Sequence, residues 1–333
     1  MPAMRTYVFI PPVRRAAGGV FVLLRLARCL NRAGHETVLV PREDATELPD
    51  DLPCTAWDDL RLEPGDLWLV PEGWVNALAP GLNARARCLV YVQNWAYLFS
   101  GLPHGVDWRQ LDVSFLAVSQ PVGWYVERML GRGAEVLRPS IDLDLFGQSG
   151  AKPDGPLRIA FMPRKNKAQA ERIREALAAR NHGGGEVEWL PVDGLPPEGV
   201  ASALAAAHVF LATGFPEGCP LPPLEAMASG CLCAGFTGFG GTDYMRQAGD
   251  FPGAFEPWWP VRETPWGGNG LWCADADVPA AVEALEQAQA WWREGDPRLE
   301  TTLEQARATA RAYGIEQQAQ AAEALWHKLK GAD

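Results

Sequence analysis

Twice along its length the chain passes through alternating strand and helix signatures, and that double alternation constrains the fold more than any other feature. Short apolar runs at 6–10, 36–40, 66–70, 88–92, 114–119 and 134–137 read as strands, and 20–33 and 120–130 carry helical periodicity. At 142–155 the composition turns to Gly, Pro and Asp, which reads as a linker. The alternation then restarts, with strands at 157–162, 187–192, 208–213 and 231–236. Helices are expected at 168–180, 198–207, 222–229, 279–292 and 300–330, the last broken near Gly314. Parallel sheets covered by helices follow from such a pattern. The chain is therefore expected to form two doubly wound α/β domains in tandem, over 1–145 and 156–305, with 306–333 as a closing helix. In sheets of this kind ligands bind beyond the carboxyl ends of the strands.

Composition removes several alternatives. A length of 333 residues suits two domains, and a 47% apolar share is that of a globular chain. The formal net charge of −11 argues against a general nucleic-acid binder. No apolar run approaches the ~20 residues of a membrane span. The first residues, MPAMRTYVFIPP, lack a signal-peptide layout. Seven cysteines with no C-x-x-C pair fit a reducing cytoplasm better than a disulfide framework or a zinc ribbon. Cys231 and Cys233 fit alternate positions of a strand. Arg25, Arg28 and Arg32 fall at helical spacing. That stripe is either a solvated helix face or a peripheral contact with the inner face of a membrane.

Several strand ends carry residue types suited to an anionic, hydroxyl-rich ligand. Arg14-Arg15-Ala16-Ala17-Gly18-Gly19 follows the first strand, and Thr237-Gly238-Phe239-Gly240-Gly241-Thr242 follows a strand of the second half. Glycine lets backbone approach a ligand, and a helix N-terminus offers N–H groups to an anion. A G-x-G-x-x-G fingerprint is absent from the first loop. Arg164, Lys165 and Lys167 stand between a strand and a helix, where cations suit a diphosphate. In PEGCPLPPLEAMASG, Glu217 lies in a loop and Glu225 is expected in the first turn of the next helix. A carboxylate there either complements the helix dipole or holds a diol such as ribose.

PEGCPLPPLEAMASG resembles the E-x7-E segment of retaining, nucleotide-sugar-dependent glycosyltransferases of the GT-B fold, the large group 1 family. Other segments are similar to that family in the same order: GGVFVLLRLARCLNRAGHETVLV, AVSQ, EVLRPSIDLDLF, RKNK, FGGTDYM, NGLWCADAD and AYGIEQQAQAAEALW. Residues 41–87 and 252–268 have no counterpart. The resemblance implies two facing Rossmann-like domains with a central cleft, the last helix crossing back to the first domain. It places Glu217 at the donor sugar, Glu225 at the nucleotide ribose, and Arg164 with Lys167 at the diphosphate. Because the family spaces its basic pair differently, Lys165 is the alternative to Lys167. Gly18 and Gly19 would give backbone room and amides near the phosphate and acceptor, Gly240, Gly241 and Thr242 would line the sugar-phosphate region, and Ser119 falls in the AVSQ segment. Gln93 and Asn94 are similar to the turn of rhamnosyltransferase-like members, in place of the family's His-containing turn.

The implied activity is transfer of a sugar, with retention, from a nucleotide diphosphate donor (UDP first, GDP next) to an unidentified saccharide, lipid-linked saccharide or metabolite. No cofactor or metal is called for. A nucleotide-sugar epimerase or hydrolase and a non-catalytic nucleotide-sugar-binding protein are the alternatives. Asp142-Leu143-Asp144 and Asp275-Ala276-Asp277 have the D-x-D form of a metal motif, but they fall where a linker or a helix cap is expected. Fourteen tryptophans are about three times an ordinary share. Trp95 and Tyr97 fall at the acceptor side of the resemblance, and Trp258, Trp259 and Trp266 in the unmatched stretch. Core packing competes with a binding role for each.

Overall fold

The computed structural model describes residues 4–13, 18–42, 48–148, 150–180 and 185–331. The chain divides into two compact units, Met1–Ser140 with Ile315–Asp333, and Ile141–Gly314.

The first unit contains β1 (Thr6–Ile10), α1 (Gly18–Arg32), β2 (Thr37–Pro41), β3 (Leu67–Pro71), α2 (Ala79–Ala84), β4 (Arg87–Val92), β5 (Val113–Ala117), α3 (Gln120–Leu130) and β6 (Ala134–Val136). Its strands pair in the order β2-β1-β3-β4-β5-β6, all parallel. Every residue of TYVFI and of LWLVP is buried, as expected for strands covered on both faces. Helix α1 turns Val22, Leu23, Leu26 and Leu30 inward, and the chain leaves it at Gly34 in the left-handed conformation (φ +81°). Trp68, Trp108, Tyr91 and Phe9 are fully buried. The Trp108 indole donates to the Leu98 carbonyl and that of Trp68 to the Ala77 carbonyl, so both rings are core members with their polar atoms satisfied.

The second unit contains α4 (Leu143–Phe146), β7 (Leu157–Phe161), α5 (Lys167–Arg180), β8 (Val187–Pro191), α6 (Pro197–Ala206), β9 (Val209–Ala212), α7 (Leu221–Ala228), β10 (Leu232–Phe236), β11 (Gly270–Cys273), α8 (Val278–Glu294) and α9 (Pro297–Arg311). The sheet order is β11-β10-β9-β7-β8, again all parallel. Strand β11 was not expected, because GLWC is too short and too close to Gly and Pro to show periodicity. The break expected near Gly314 is present, since Ala312–Gly314 separates α9 from α10 (Ile315–Gly331). The stretch expected as a linker packs instead onto the second unit. Asp142 caps α4, Phe146 is buried, and the Lys152 ammonium donates to the carbonyls of Leu204, Ala205 and Ser229. Those carbonyls lie at the ends of α6 and α7, where a cation is favoured.

Helix α10 returns the chain to the first unit and packs along α1. Its Trp326 is fully buried, with the indole N–H donating to Thr6 Oγ1 at 2.8 Å, and Gln318 Oε1 accepts from the Ser140 hydroxyl at 2.7 Å. The arginine stripe of α1 is partly consumed within this unit: Arg25 donates to the Ser140 carbonyl and Arg28 pairs with Asp51 through two bonds of 2.7 and 2.8 Å. Trp326→Ala is expected to destabilise the first unit by about 3–5 kcal/mol through the cavity and the lost hydrogen bond. Denaturant unfolding followed by a first-unit probe would check this, and a loss below ~1 kcal/mol would show that α10 is not part of that core.

Candidate functional site

In the second sheet the chain steps from β7 outward to β8 and then to β9 on the other side of β7. The order therefore reverses between β7 and β9, and in sheets of this kind the ligand crevice lies beyond the carboxyl ends of the strands at such a reversal. The loop after β7 brings Arg164, Lys165 and Asn166, and the loop after β9 brings Gly214 to Cys219. Asn166 adopts a left-handed backbone (φ +55°) and its side-chain amide donates to the carbonyls of Thr213 (2.8 Å) and Phe215 (3.0 Å). The Thr213 hydroxyl donates back to the Lys165 carbonyl at 3.3 Å. These three bonds tie the two loops together, and the Lys165 ammonium forms an ion pair with Glu217. Lys165 keeps half of its side chain in solvent (49%) while Glu217 is buried (8%). Lys167 opens α5 and pairs with Glu171 one turn on, at 3.7 Å. Of the two lysines, Lys165 is thus the one brought to Glu217, and Arg164 is exposed on the same loop.

The backbone around Glu217 is as constrained as its side chain. Its N–H donates to the Gly238 carbonyl (3.0 Å), and its own carbonyl accepts from Gly240 N–H (3.1 Å). A Cβ on Gly214 would stand 2.6 Å from Glu217 Oε1 and would displace that carboxylate, whereas Gly238 (φ +67°) would put one 2.8 Å from the Glu217 Cβ and 2.9 Å from the Gly214 carbonyl, so no larger residue fits there. Gly240 and Gly241 are buried, and Gly240 lies against the Gly218 carbonyl. The Thr242 hydroxyl donates to the Phe239 carbonyl (2.8 Å) and accepts from the Trp259 indole (3.0 Å). Glu225 corrects an expectation. Helix α7 begins at Leu221 with Pro222 and Pro223 in its first turn, which puts half-buried Glu225 in the second turn, where the dipole argument weakens.

In the first sheet the order reverses between β1 and β3. Gly18 and Gly19 open α1, while Arg14, Arg15, Ala16 and Ala17 of the expected loop lie outside the described residues. Gly19 lies close under the Gln93 side chain. Ser119 caps α3 through its hydroxyl, and the Asn94 side chain accepts from Ala96 N–H at the turn carrying Trp95 and Tyr97. The residue that sequence reasoning missed is Glu72. It follows β3 and is 4% exposed, and its two carboxylate oxygens accept from the N–H groups of Gln93 and Asn94, each at 2.9 Å. Burial pushes its carboxyl up to about 7, the N–H groups acting the other way. The available signal was an acid placed directly at a strand's carboxyl end.

Neither D-x-D triplet gathers into a cluster. Asp142 caps α4 and Asp277 caps α8, while Asp275 accepts from Gly238 N–H at 2.6 Å. Among the described residues no group of three or more His, Cys, Asp or Glu could hold a metal ion, and no helix is long and apolar enough to cross a membrane. Cys231 and Cys233 are buried free thiols donating to backbone carbonyls. Trp266 is a core residue whose indole donates to the Tyr244 carbonyl, whereas Trp258 is 79% exposed.

No protein-family model matches the chain. It is 26% identical over 238 residues to the alpha-1,6-glucosyltransferase of Actinobacillus pleuropneumoniae serotype 7 (strain AP76), covering 68% of this chain and 71% of that protein. Sucrose-phosphate synthase from Thermosynechococcus elongatus superimposes with a TM-score of 0.64 at 16% identity, over 99% of this chain and 100% of that one. The catalytic domain of starch synthase IV from Arabidopsis thaliana, bound to ADP and acarbose, gives 0.61 at 12% identity, over 97% and 99%. The pneumococcal O-GlcNAc transferase GtfA, in complex with UDP and GlcNAc, gives 0.60 at 10%, over 99% of each. The fold is therefore that of the GT-B proteins, with two Rossmann-like α/β units, as the sequence led us to expect.

Between its ordinary value of 4.5 and about 7, Glu72 keeps its proton in the folded chain and loses it in the unfolded one. Its contribution to stability is therefore present below that window and is lost as pH rises through it. Glu72→Gln removes the titration. The stability of the wild type relative to this variant is expected to fall between pH 4.5 and about pH 7, read from urea unfolding. A difference independent of pH would show that Glu72 titrates normally.

Proposed function

We propose that the chain is a retaining glycosyltransferase that moves a sugar from a nucleotide diphosphate donor to a hydroxyl of a second molecule. The observation that carries this reading is the Lys165–Glu217 pair, laced by Asn166 into the crevice between β7 and β9. A UDP-sugar is the favoured donor and a GDP-sugar the next. The likeness to an alpha-1,6-glucosyltransferase supports sugar transfer, and the solved relatives bound to ADP or UDP support a nucleotide donor. A saccharide, lipid-linked or free, is the acceptor class we favour.

In this reading Lys165, Arg164 and the N-terminus of α5 meet the diphosphate, and Glu225 holds the ribose. Arrival of the diphosphate draws the Lys165 ammonium from Glu217, whose carboxylate then faces the donor hydroxyls. The bond between the anomeric carbon and the phosphate oxygen breaks, and its electron pair leaves with the diphosphate. The acceptor oxygen attacks the same face, and its proton passes to the departing phosphate oxygen. Stabilisation of the leaving charge does most of the work, so neither a strong base nor a metal is required. Gly18, Gly19, Gln93, Asn94 and Ser119 lie at the acceptor side, with Gly240, Gly241 and Thr242 at the sugar phosphate. The protein acts in the cytoplasm.

A thermal-shift panel of nucleotides and nucleotide sugars identifies the donor, since a ligand raises stability according to its occupancy. Glu217→Gln is expected to leave nucleotide affinity near wild type and to lower kcat and kcat/KM together by about a hundredfold or more. Unchanged turnover would remove Glu217 from the reaction. Donor consumption that needs no second substrate would instead favour a hydrolase.

Glu225→Ala is expected to weaken nucleotide binding by about 1.5–3 kcal/mol while the bound complex still turns over. An unchanged Kd would remove Glu225 from the ribose. Transfer is also expected to survive EDTA. Loss of activity restored by manganese would overturn the metal-free mechanism.

A further inference from the structure

Beyond Glu217 itself, the second unit contains a strained turn with an unusual support. Phe239 has φ +66° and ψ −64°, and Gly240 N–H donates to the Gly238 carbonyl at 2.9 Å. This is a three-residue γ-turn of the rare hand, and a bulky side chain at its centre makes it costly. Such a conformation persists only where its surroundings over-determine it. The same Gly238 carbonyl accepts from Glu217 N–H, and Gly240 N–H is also within reach of the Glu217 carbonyl. The turn and the Glu217 backbone therefore move as one body.

On its other side the turn meets Asp275. Asp275 lies two residues beyond the end of β11, and its carboxylate accepts from Gly238 N–H at 2.6 Å. It is the member of the second D-x-D triplet that caps no helix, since Asp277 caps α8. The neighbour at Ala276 has a left-handed backbone (φ +65°), which turns the chain sharply between the two acids.

We propose that Asp275 is the positioning residue for Glu217, acting through the γ-turn at Phe239. Its carboxylate fixes Gly238, Gly238 fixes the Glu217 main chain, and the Glu217 carboxylate is thereby held beside Lys165. Burial pushes the Asp275 carboxyl up to about 6, with the N–H groups of Gly238 and Phe239 opposing it. This inference rests on the glycosyl-transfer reading for its kinetic consequence but not for its structural one.

The test compares Asp275→Ala with Asp275→Asn, which keeps one accepting oxygen. With the donor selected by the thermal-shift panel, Asp275→Ala is expected to lower kcat by about tenfold to a hundredfold, as displacement of a reacting group by an ångström does. The Kd for the matching free nucleotide is expected to stay within about twofold, and Asp275→Asn is expected to keep most of the turnover. Wild-type turnover in Asp275→Ala, or equal damage in both variants, would overturn the proposal. Amide hydrogen exchange over residues 214–242 supplies a readout that needs no activity. Exchange at Gly238 and Glu217 is expected to be slow in the wild type, faster in Asp275→Ala and close to wild type in Asp275→Asn. Fast exchange at Gly238 in the wild type would overturn the proposal even if Asp275→Ala fails to fold. A wild type that consumes no nucleotide sugar, yet shows the expected exchange pattern, would sink the glycosyl-transfer reading and keep the positioning of the Glu217 main chain by Asp275.

Discussion

Backbone N–H groups at the carboxyl ends of parallel strands must find acceptors once the chain leaves the sheet, and the architecture of both units depends on how this is met. In each unit an acid beyond one strand, buried at Glu72 and half-buried at Asp275, accepts from the turn beyond its neighbour. Glu72 after β3 holds Gln93 and Asn94 after β4, and Asp275 after β11 holds Gly238 after β10. Burial favours the protonated form of each acid, and the N–H dipoles that converge on it oppose that shift. These bonds tie each turn to its neighbouring loop.

The crevice between β7 and β9 shows what such loops allow. Asn166 uses one side-chain amide to join two loops that the sequence separates by about fifty positions, and so fixes both partners of the Lys165–Glu217 pair. The pair itself is half open to solvent, so its worth lies in geometry rather than in stability. Glycines at 214 and 238 bring the main chain close enough to Glu217 that its side chain has little freedom left.

Much of this was legible in the sequence, because burial on both faces writes parallel strands as continuous apolar runs and the helices between them keep their period. The two sheets came from such local signals, whereas Glu217 and the alternative between Lys165 and Lys167 came from the resemblance of PEGCPLPPLEAMASG and RKNK to the glycosyltransferase family. What was hidden depended on pairing across the chain. GLWC is a strand only because Cys233 to Phe236 lie beside it. Glu72 and Asp275 look like ordinary surface acids until the turn of a neighbouring strand is laid against them. The 142–155 stretch reads as a linker by composition, whereas Lys152 ties it to the ends of α6 and α7. Glu225 was misplaced by one turn because two prolines mark a helix start without fixing its first residue.

The return of α10 to the first unit has a consequence for biosynthesis. The second unit is an insertion whose two ends meet, since Ile141 N–H donates to the Tyr313 carbonyl at 2.8 Å. All of its strands and helices have been made by residue 314, while the first unit still lacks the helix that buries Trp326. On the ribosome the later-encoded unit is thus the first to have its full set of parts. The earlier one must wait, with the α1 surface that receives α10 uncovered, until the last helix emerges.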